Sequence, residues 1–370
     1  MMIRGFEFSV REFAGSLGDF GTLLPFTVGY IVISGFNPTG LLFGIGIITF
    51  LALIYKFPLP VHPQKAIGSI AIAEKRTRNK VLGAGLSVGI IWVLLSLSKR
   101  LTNILRKVPK GVTRGIQLAL AVTLAIAGGE MMQPEILIAI PLIIVGFLLL
   151  KNKFLPAAIF LILFGFVYAV MTGALSLSEI TLGFSLPELT LFSIDDMIYG
   201  FLYAGIGQLF LTLTNAVVAT VALVHDLFPD RTDVTERSLI KNMGVMNVTT
   251  PFLGGMPLCH GAGGLSAQYL FGARTGGAIL MEGILELSLG LFFAQSLVNI
   301  FTAFPLFVVG VMLLMTSFEL GKIAIRIQGK NEIYVAIVTA MLALVFNMAI
   351  GFIGGLILYI ALEKSVLKIN

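Results

Sequence analysis

Long apolar runs occupy almost the whole chain, and short polar or basic segments separate them. A helix needs about 20 apolar residues to cross a bilayer, and fewer where it is broken and buried in protein. By this measure the pattern predicts fourteen spans, seven in each half. The first half gives 12–34, 38–55, 58–73, 80–98, 111–128, 134–150 and 154–172. The second half gives 196–223, 238–253, 256–272, 276–299, 303–321, 332–347 and 349–366.

The third span of each half, which is the third and the tenth of the chain, is interrupted by Pro, His and Gly. The interruptions read PLPVHPQKAIGS at 58–69 and MPLCHGAGGLS at 256–266, and their prolines Pro60 and Pro257 are 197 residues apart. Because each half has an odd number of spans, the second half enters the membrane from the opposite side. The sequence therefore predicts an all-α polytopic membrane protein of two inverted seven-span repeats with two broken half-helices. Such breaks are typical of a transporter with its substrate site near the bilayer midplane.

The composition excludes a soluble fold. The chain is 57% hydrophobic and 12% charged, with a mean hydropathy of +0.99, whereas about 25% of residues are charged in soluble domains. The formal net charge of +6 comes from basic residues in short loops, so it indicates membrane orientation and not nucleic-acid binding. Their distribution predicts that both termini are cytoplasmic, and we expect the protein in the plasma membrane. The basic segment 75–80 disagrees, because it falls on the predicted outside.

Two further residues limit the interpretation of the chain. Asp19 lies in the middle of the first apolar run, so we interpret this run as a retained span and not as a signal peptide. Cys259 is the only cysteine, so an intramolecular disulfide is impossible.

The two breaks carry the chemistry that we expect at a substrate site. A helix that begins in mid-membrane presents free N–H groups and about half a positive charge, which favours an anion. The first half-helix is expected to begin near Gln64 and Lys65, and Lys65 adds a full charge. The second is expected to begin near Gly261, where further glycines allow close approach to the backbone. The candidate substrate-binding residues here are His62, Gln64, Lys65, His260, Gly261, Gly263 and Gly264. The alternative is a pair of structural kinks filled by water and neighbouring side chains.

Other polar residues inside the spans have two interpretations each. A carboxylate in the membrane costs at least about 3 kcal/mol unless it is paired or protonated, so Asp19 is either the ion-coupling group that carries a proton or a structural partner, for example of Lys65. Gln208 and Asn215 are seven residues apart, on one face of an α-helix, and are either substrate-binding or polar contacts between helices. Glu282 and Glu286 share a face too and are either ion-coupling groups or partners of basic residues.

Motifs of soluble enzymes are missing from the sequence. It contains no Walker A loop, no dinucleotide fingerprint, no HExxH and no cluster with metal-ligand spacing. We therefore expect no enzyme activity, no cofactor and no bound metal, and we expect any transport to be secondary.

Four segments resemble the molybdate transporter family, a branch of the sulfate permease superfamily that lacks the soluble regulatory domain. They are GDFGT at 18–22, PVHPQK at 60–65, GQL…TN at 207–215 and PLCHGAGGLSAQYLFGARTG at 257–276. One departure is His62, where many family members have Gln.

The resemblance implies a division into a core domain that binds substrate and a gate domain. The core domain comprises 12–98 and 196–299, the gate domain comprises 99–172 and 300–366, and 173–195 is the linker. It also implies an elevator-type movement of core against gate and a homodimer through the gate domains.

The predicted function is secondary active import of a tetrahedral oxyanion, most simply molybdate. Sulfate and tungstate share its charge and shape and remain alternatives, as do bicarbonate or a nucleobase on the same fold. Partners would be the small oxyanion, a cotransported proton or other cation, and the lipid bilayer. A channel, a membrane sensor without transport and an intramembrane enzyme are the rivals from other classes.

Overall fold

The computed structural model describes residues 2–3, 6–97, 108–150 and 157–363. In the first half its helices are α1 Val10–Ser16, α2 Phe20–Val32, α3 Pro38–Ala52, α4 Lys65–Ala73, α5 Arg78–Leu97, α6 Lys110–Met132, α7 Ile136–Leu149 and α8 Ala157–Met171. In the second half they are α9 Ile194–Gly200, α10 Ile206–Leu211, α11 Ala219–Leu227, α12 Glu236–Thr249, α13 Ala262–Phe271, α14 Gly276–Phe292, α15 Ala294–Thr302, α16 Leu306–Ala324, α17 Lys330–Val345 and α18 Met348–Glu363. The strands are β1 Met2–Ile3, β2 Phe6–Glu7, β3 His62–Pro63 and β4 Leu258–Cys259.

Every predicted span contains helix, but several spans are irregular. A 3₁₀ turn at Leu17–Asp19 separates α1 from α2. The helix of the eighth span runs over Ile194–Leu227 and changes to π winding at Phe201–Gly205 and Thr212–Val218. π-Helical segments inside α-helices occur frequently at functional sites.

The chain is an integral membrane protein, and several of its apolar helices are long enough to cross a bilayer. Within the described residues, five helices are individually long and apolar enough to cross: Pro38–Tyr55, Arg78–Leu97, Lys110–Leu149, Ile194–Leu227 and Leu306–Ala324. A sixth candidate is the pair α13 and α14, bent by 103°. Fourteen crossings and the inverted repeat remain predictions. The predicted core–gate boundary at 98/99 and the last span beyond Glu363 lie outside the described residues.

Helices from opposite halves of the chain pack on one another. α3 packs on α14, α5 packs on α12, and α6 packs on α16. At the α6–α16 crossing an added Cβ on Gly128 would lie 2.7 Å from the Gly310 carbonyl oxygen, and one on Gly310 would lie 2.6 Å from that of Gly128. The absence of both side chains lets these backbones touch, as is usual for helices that pack in lipid.

The basic segment that contradicts the orientation rule is held by aromatic rings. Arg76 pairs with Glu74, and its guanidinium carbon lies 5.0 Å from the ring centroid of Tyr199. The Lys80 Nζ lies 4.2 Å from the same ring. The segment also follows the C-terminus of α4, where the helix dipole favours positive charge. Cation–π contacts, an ion pair and this dipole thus give the segment a structural explanation.

Candidate functional site

The two breaks meet in a two-stranded antiparallel sheet. His62 of β3 lies opposite Cys259 of β4, and Pro63 lies opposite Leu258. The Gln64 N–H extends the pairing by donating to the Pro257 carbonyl at 2.9 Å. Because the strands are antiparallel and each leads into a half-helix, the short sheet joins the starts of α4 and α13, which lie at its two ends.

The N-terminus of α13 is open. Gly261 precedes the helix in an extended conformation, with φ −161° and ψ 140°, and no side chain caps the helix. A Cβ on Gly263 would meet no heavy atom within 4 Å, and this residue is exposed. Free N–H groups beside open space form the arrangement in which an anion can approach the backbone.

The N-terminus of α4 already has a protein acceptor. The Gln208 Oε1 accepts hydrogen bonds from the N–H groups of Ala66 at 2.7 Å and Ile67 at 3.4 Å. Its Nε2 donates to Thr212 Oγ1 at 2.7 Å. Gln208, a predicted binding residue, therefore caps this half-helix with its amide oxygen, and the expectation that both helix termini are free holds for α13 alone.

Gln64 is fully buried beside the sheet. Its Nε2 donates to the Leu258 carbonyl at 3.0 Å, while its Oε1 has no hydrogen-bond partner among the described residues. The side chain thus connects the start of α4 to β4, and its carbonyl oxygen can still accept a hydrogen bond.

Lys65 is the first residue of α4 and is half-buried. It belongs to none of the ion pairs among the described residues. Among those residues, no carboxylate within ion-pair distance neutralises its charge at the helix terminus. The side chain of Asp19, which we considered as its partner, lies outside the described residues; the Asp19 backbone passes close to α13, since an added Cβ on Gly18 would lie 2.7 Å from the Ala267 carbonyl carbon.

The two histidines have different surroundings. The His260 Nδ1 lies 2.8 Å from the Pro60 carbonyl, so this nitrogen carries a proton, and its Nε2 accepts from Asn242 Nδ2 at 3.0 Å. Both ring nitrogens are thus used within the protein. The His62 Nδ1 lies 3.2 Å from the Pro63 carbonyl, and its Nε2 lies against Gly261. Of the two, His62 is the one with a ring atom directed towards the start of α13.

The prediction that Gln208 and Asn215 share one helix face assumes regular α-helical spacing between them. The helix changes to π winding at Thr212, so a spacing of seven residues no longer returns to one face. The Asn215 side chain itself lies outside the described residues.

Glu282 and Glu286 on α14 are both buried, each 1% exposed. Glu282 accepts a hydrogen bond from Gln268 Nε2 at 2.8 Å, and Glu286 accepts one from Thr49 Oγ1 at 3.1 Å. Because Gln268 belongs to α13, Glu282 is connected to the same half-helix that presents the open N-terminus.

Sequence reasoning missed two asparagines of α12. Asn247 makes hydrogen bonds with both the N–H and the carbonyl of Leu258, at 2.8 and 2.6 Å, and Asn242 holds His260. The sequence feature that could have indicated them is the presence of two amide side chains within one apolar span, because such groups must find hydrogen-bond partners in lipid. Within the described residues, no three His, Cys, Asp or Glu residues lie close enough together to hold a metal ion.

Solved structures share this fold. The transmembrane domain of the cyanobacterial bicarbonate transporter BicA aligns with a TM-score of 0.65 at 15% identity, over 95% of this chain and 97% of that one. Murine SLC26A9, an anion transporter in the inward-facing state, aligns with a TM-score of 0.70 at 11% identity, over 100% of this chain and 70% of that one. At these identities the likeness concerns the fold alone.

Curated relatives are closer in sequence. Molybdate transporter 1 of Arabidopsis thaliana is 29% identical over 96% of this chain and 89% of its own length. Molybdate transporter 2 of the same plant is 27% identical over 96% and 88%. The family model described as "Molybdate transporter of MFS superfamily" matches residues 11–124 and 200–320, which include both half-helices and Gln208. The chain therefore belongs to the molybdate transporter family.

Proposed function

We propose that this protein is a secondary active transporter that imports a tetrahedral dianionic oxyanion, and that molybdate is its substrate. The observation that carries the proposal is the open N-terminus of α13, which the β3–β4 pairing joins to the half-helix that begins at Lys65. Free N–H groups, a helix dipole and one lysine charge provide the donors and the positive potential that a dianion requires. The molybdate transporters among its relatives support the choice of substrate.

The binding site comprises the residues around this terminus. Gly263 and Gly264 present backbone N–H groups, and Lys65 and His62 lie on the facing half-helix and strand. Gln64, Gln208 and His260 shape the site by fixing β4, α4 and β3 respectively. Asn215 and Gly261 complete the proposed set.

Import of a dianion needs an energy source. With the cell interior negative, entry opposes about 2.3 kcal/mol per charge per 100 mV. We propose that cotransported protons provide it, with Asp19, Glu282 and Glu286 as candidate carriers. Glu282 has the most direct connection to the substrate, because its hydrogen bond with Gln268 links its protonation to the position of α13.

We further propose an elevator-type movement between a core domain, 12–98 with 196–299, and a gate domain, 99–172 with 300–366, in a plasma-membrane protein with cytoplasmic termini. Homodimers would form through the gate. The extensive packing of α3 on α14 and α5 on α12, and separately of α6 on α16, supports two bodies of this composition.

Uptake into proteoliposomes tests the function. Purified protein should accumulate radiolabelled molybdate in a saturable manner when an inward proton gradient is imposed. Unlabelled tungstate and sulfate should compete, and uracil should not. Bicarbonate is included as a competitor because it is the substrate named for BicA. Saturable uptake of bicarbonate or uracil without molybdate uptake would overturn the choice of substrate, and unsaturable flux would indicate a channel.

A further inference from the structure

A large cavity lies apart from the half-helix site, where α6 and α17 begin. Its volume is about 1280 Å³, and its lining includes Lys110, Arg114, Leu213, Glu236, Arg326 and Glu332. Leu213 belongs to the π segment that follows Gln208. The cavity thus extends from the interhelical loops to the helix that caps α4.

The cavity lining carries three basic residues, Lys110, Arg114 and Arg326, and two acidic residues, Glu236 and Glu332. Neither Arg114 nor Arg326 belongs to an ion pair of the described residues, and both residues line the same cavity. Glu332 accepts a hydrogen bond from the Gly111 N–H, so its charge is used at the N-terminus of α6. Two unpaired guanidinium groups facing one space favour an anion between them.

Arg114 is held in place from deeper in the bundle. Its Nη1 donates to Gln117 Oε1 at 2.8 Å. Gln117 is 1% exposed, and its Nε2 has no acceptor among the described residues. The neighbouring Ile116 packs on Gly207, with Cγ2 3.3 Å from the place of an added Cβ. Arg114 is thus anchored by a buried amide, and the residue next to that amide packs on the helix that carries Gln208.

We propose that Arg114 and Arg326 form a second anion site in this cavity, which binds a divalent tetrahedral oxyanion on its way between the half-helix site and the adjacent aqueous phase. Guanidinium groups suit such a ligand because they donate two parallel hydrogen bonds to two oxygens. The site rests on the proposed function, since its ligand is the transported anion. Its position outside the α4–α13 junction makes it a separate, weaker and more salt-sensitive site.

Equilibrium binding of radiolabelled molybdate to the purified full-length protein tests this proposal. At low ionic strength the parent should bind at two classes of site, and sodium chloride should weaken the lower-affinity class more. The double variant Arg114→Gln/Arg326→Gln should lose that class or weaken it roughly tenfold or more. Its high-affinity class should be retained, and this retention also shows that the variant is folded.

Arg78→Gln is the matched control, because Arg78 is a half-buried arginine at the start of α5 and does not line the cavity. Two unchanged classes in the double variant would overturn the second site, and so would a single class in the parent; both results leave the proposed function standing. A parent that binds no molybdate at all would overturn the proposed function, and this proposal with it.

Discussion

Asn247 on α12 and Leu258 on β4 exchange two hydrogen bonds: the Leu258 N–H donates to Asn247 Oδ1 at 2.8 Å, and Asn247 Nδ2 donates to the Leu258 carbonyl at 2.6 Å. Both residues are fully buried. The Asn247 amide therefore satisfies the peptide N–H and carbonyl of Leu258, as a neighbouring strand would. It connects the sheet between the two half-helices to the helix bundle.

Asn247→Ala should lower the free energy of unfolding by about 1–3 kcal/mol, because buried polar groups of Leu258 lose their partner. A lower midpoint of thermal unfolding in detergent would report this. Asn331→Ala is the control, since Asn331 is exposed at the start of α17. Equal midpoints for the two variants would contradict a structural role for Asn247.

Gly263→Ala separates binding from stability. An added Cβ there meets no heavy atom within 4 Å, and Gly is less favourable than Ala within a helix by about 0.5–1 kcal/mol. The variant should therefore be as stable as the parent or more so. Molybdate affinity should nevertheless fall, because the methyl group occupies space that the anion needs beside the N–H groups. Gly263→Val should enlarge the loss, and unchanged affinity in both variants would exclude this terminus as the site.

Lys65→Ala should weaken molybdate binding by about 1–3 kcal/mol, since a charge-assisted hydrogen bond is lost. Lys241→Ala, at an exposed position of α12, serves as the matched control and should bind like the parent. Isothermal titration of both variants measures the difference. If Lys65→Ala bound as tightly as Lys241→Ala, the lysine charge would have no part in the site.

Two substitutions of Gln208 should change the stability of α4 in opposite directions and so test its role as the cap. Gln208→Ala removes the cap of α4 and should cost about 1 kcal/mol of stability. Gln208→Glu retains an acceptor for the Ala66 N–H and adds negative charge at the helix N-terminus, which stabilises the helix. That charge should repel the substrate, so the Glu variant should be stable and inactive. An active and stable Glu variant would place the substrate away from this terminus.

The coupling proposal predicts a separation of exchange from accumulation. Glu282→Gln should keep molybdate exchange in proteoliposomes and lose accumulation driven by a pH gradient, because the amide cannot carry a proton. Asp19→Asn and Glu286→Gln are measured in parallel to identify which carboxyl group carries it. Gradient-driven accumulation in all three variants would remove these carboxyl groups from the coupling mechanism.

The sequence predicted the helices and the two breaks because both depend on local composition. Apolar runs must form helices in lipid. Pro63 and Gly261 interrupt the two apolar runs in which they lie, whatever the rest of the chain does. Lys65 was placed correctly at the start of α4 for the same reason.

Long-range contacts were not predictable in this way. The Gln208 cap on Ala66 joins residues 142 apart, and the bond from His260 to Pro60 joins residues 200 apart. A single polar residue in a span indicates only that a partner exists. Likewise, nothing in the local sequence indicated the π winding at Thr212, which changes the helical spacing between Gln208 and Asn215.

The link between β3 and β4 includes pairing of their peptide groups, and that part of it does not depend on the side chains at positions 62 and 259. Residues 62 and 259 can therefore vary chemically while the frame that holds the two half-helices stays assembled. We expect replacement of His62 to change the side chain that lies against Gly261 and to leave the pairing of β3 with β4 in place. Selectivity and architecture would then be separable by mutation.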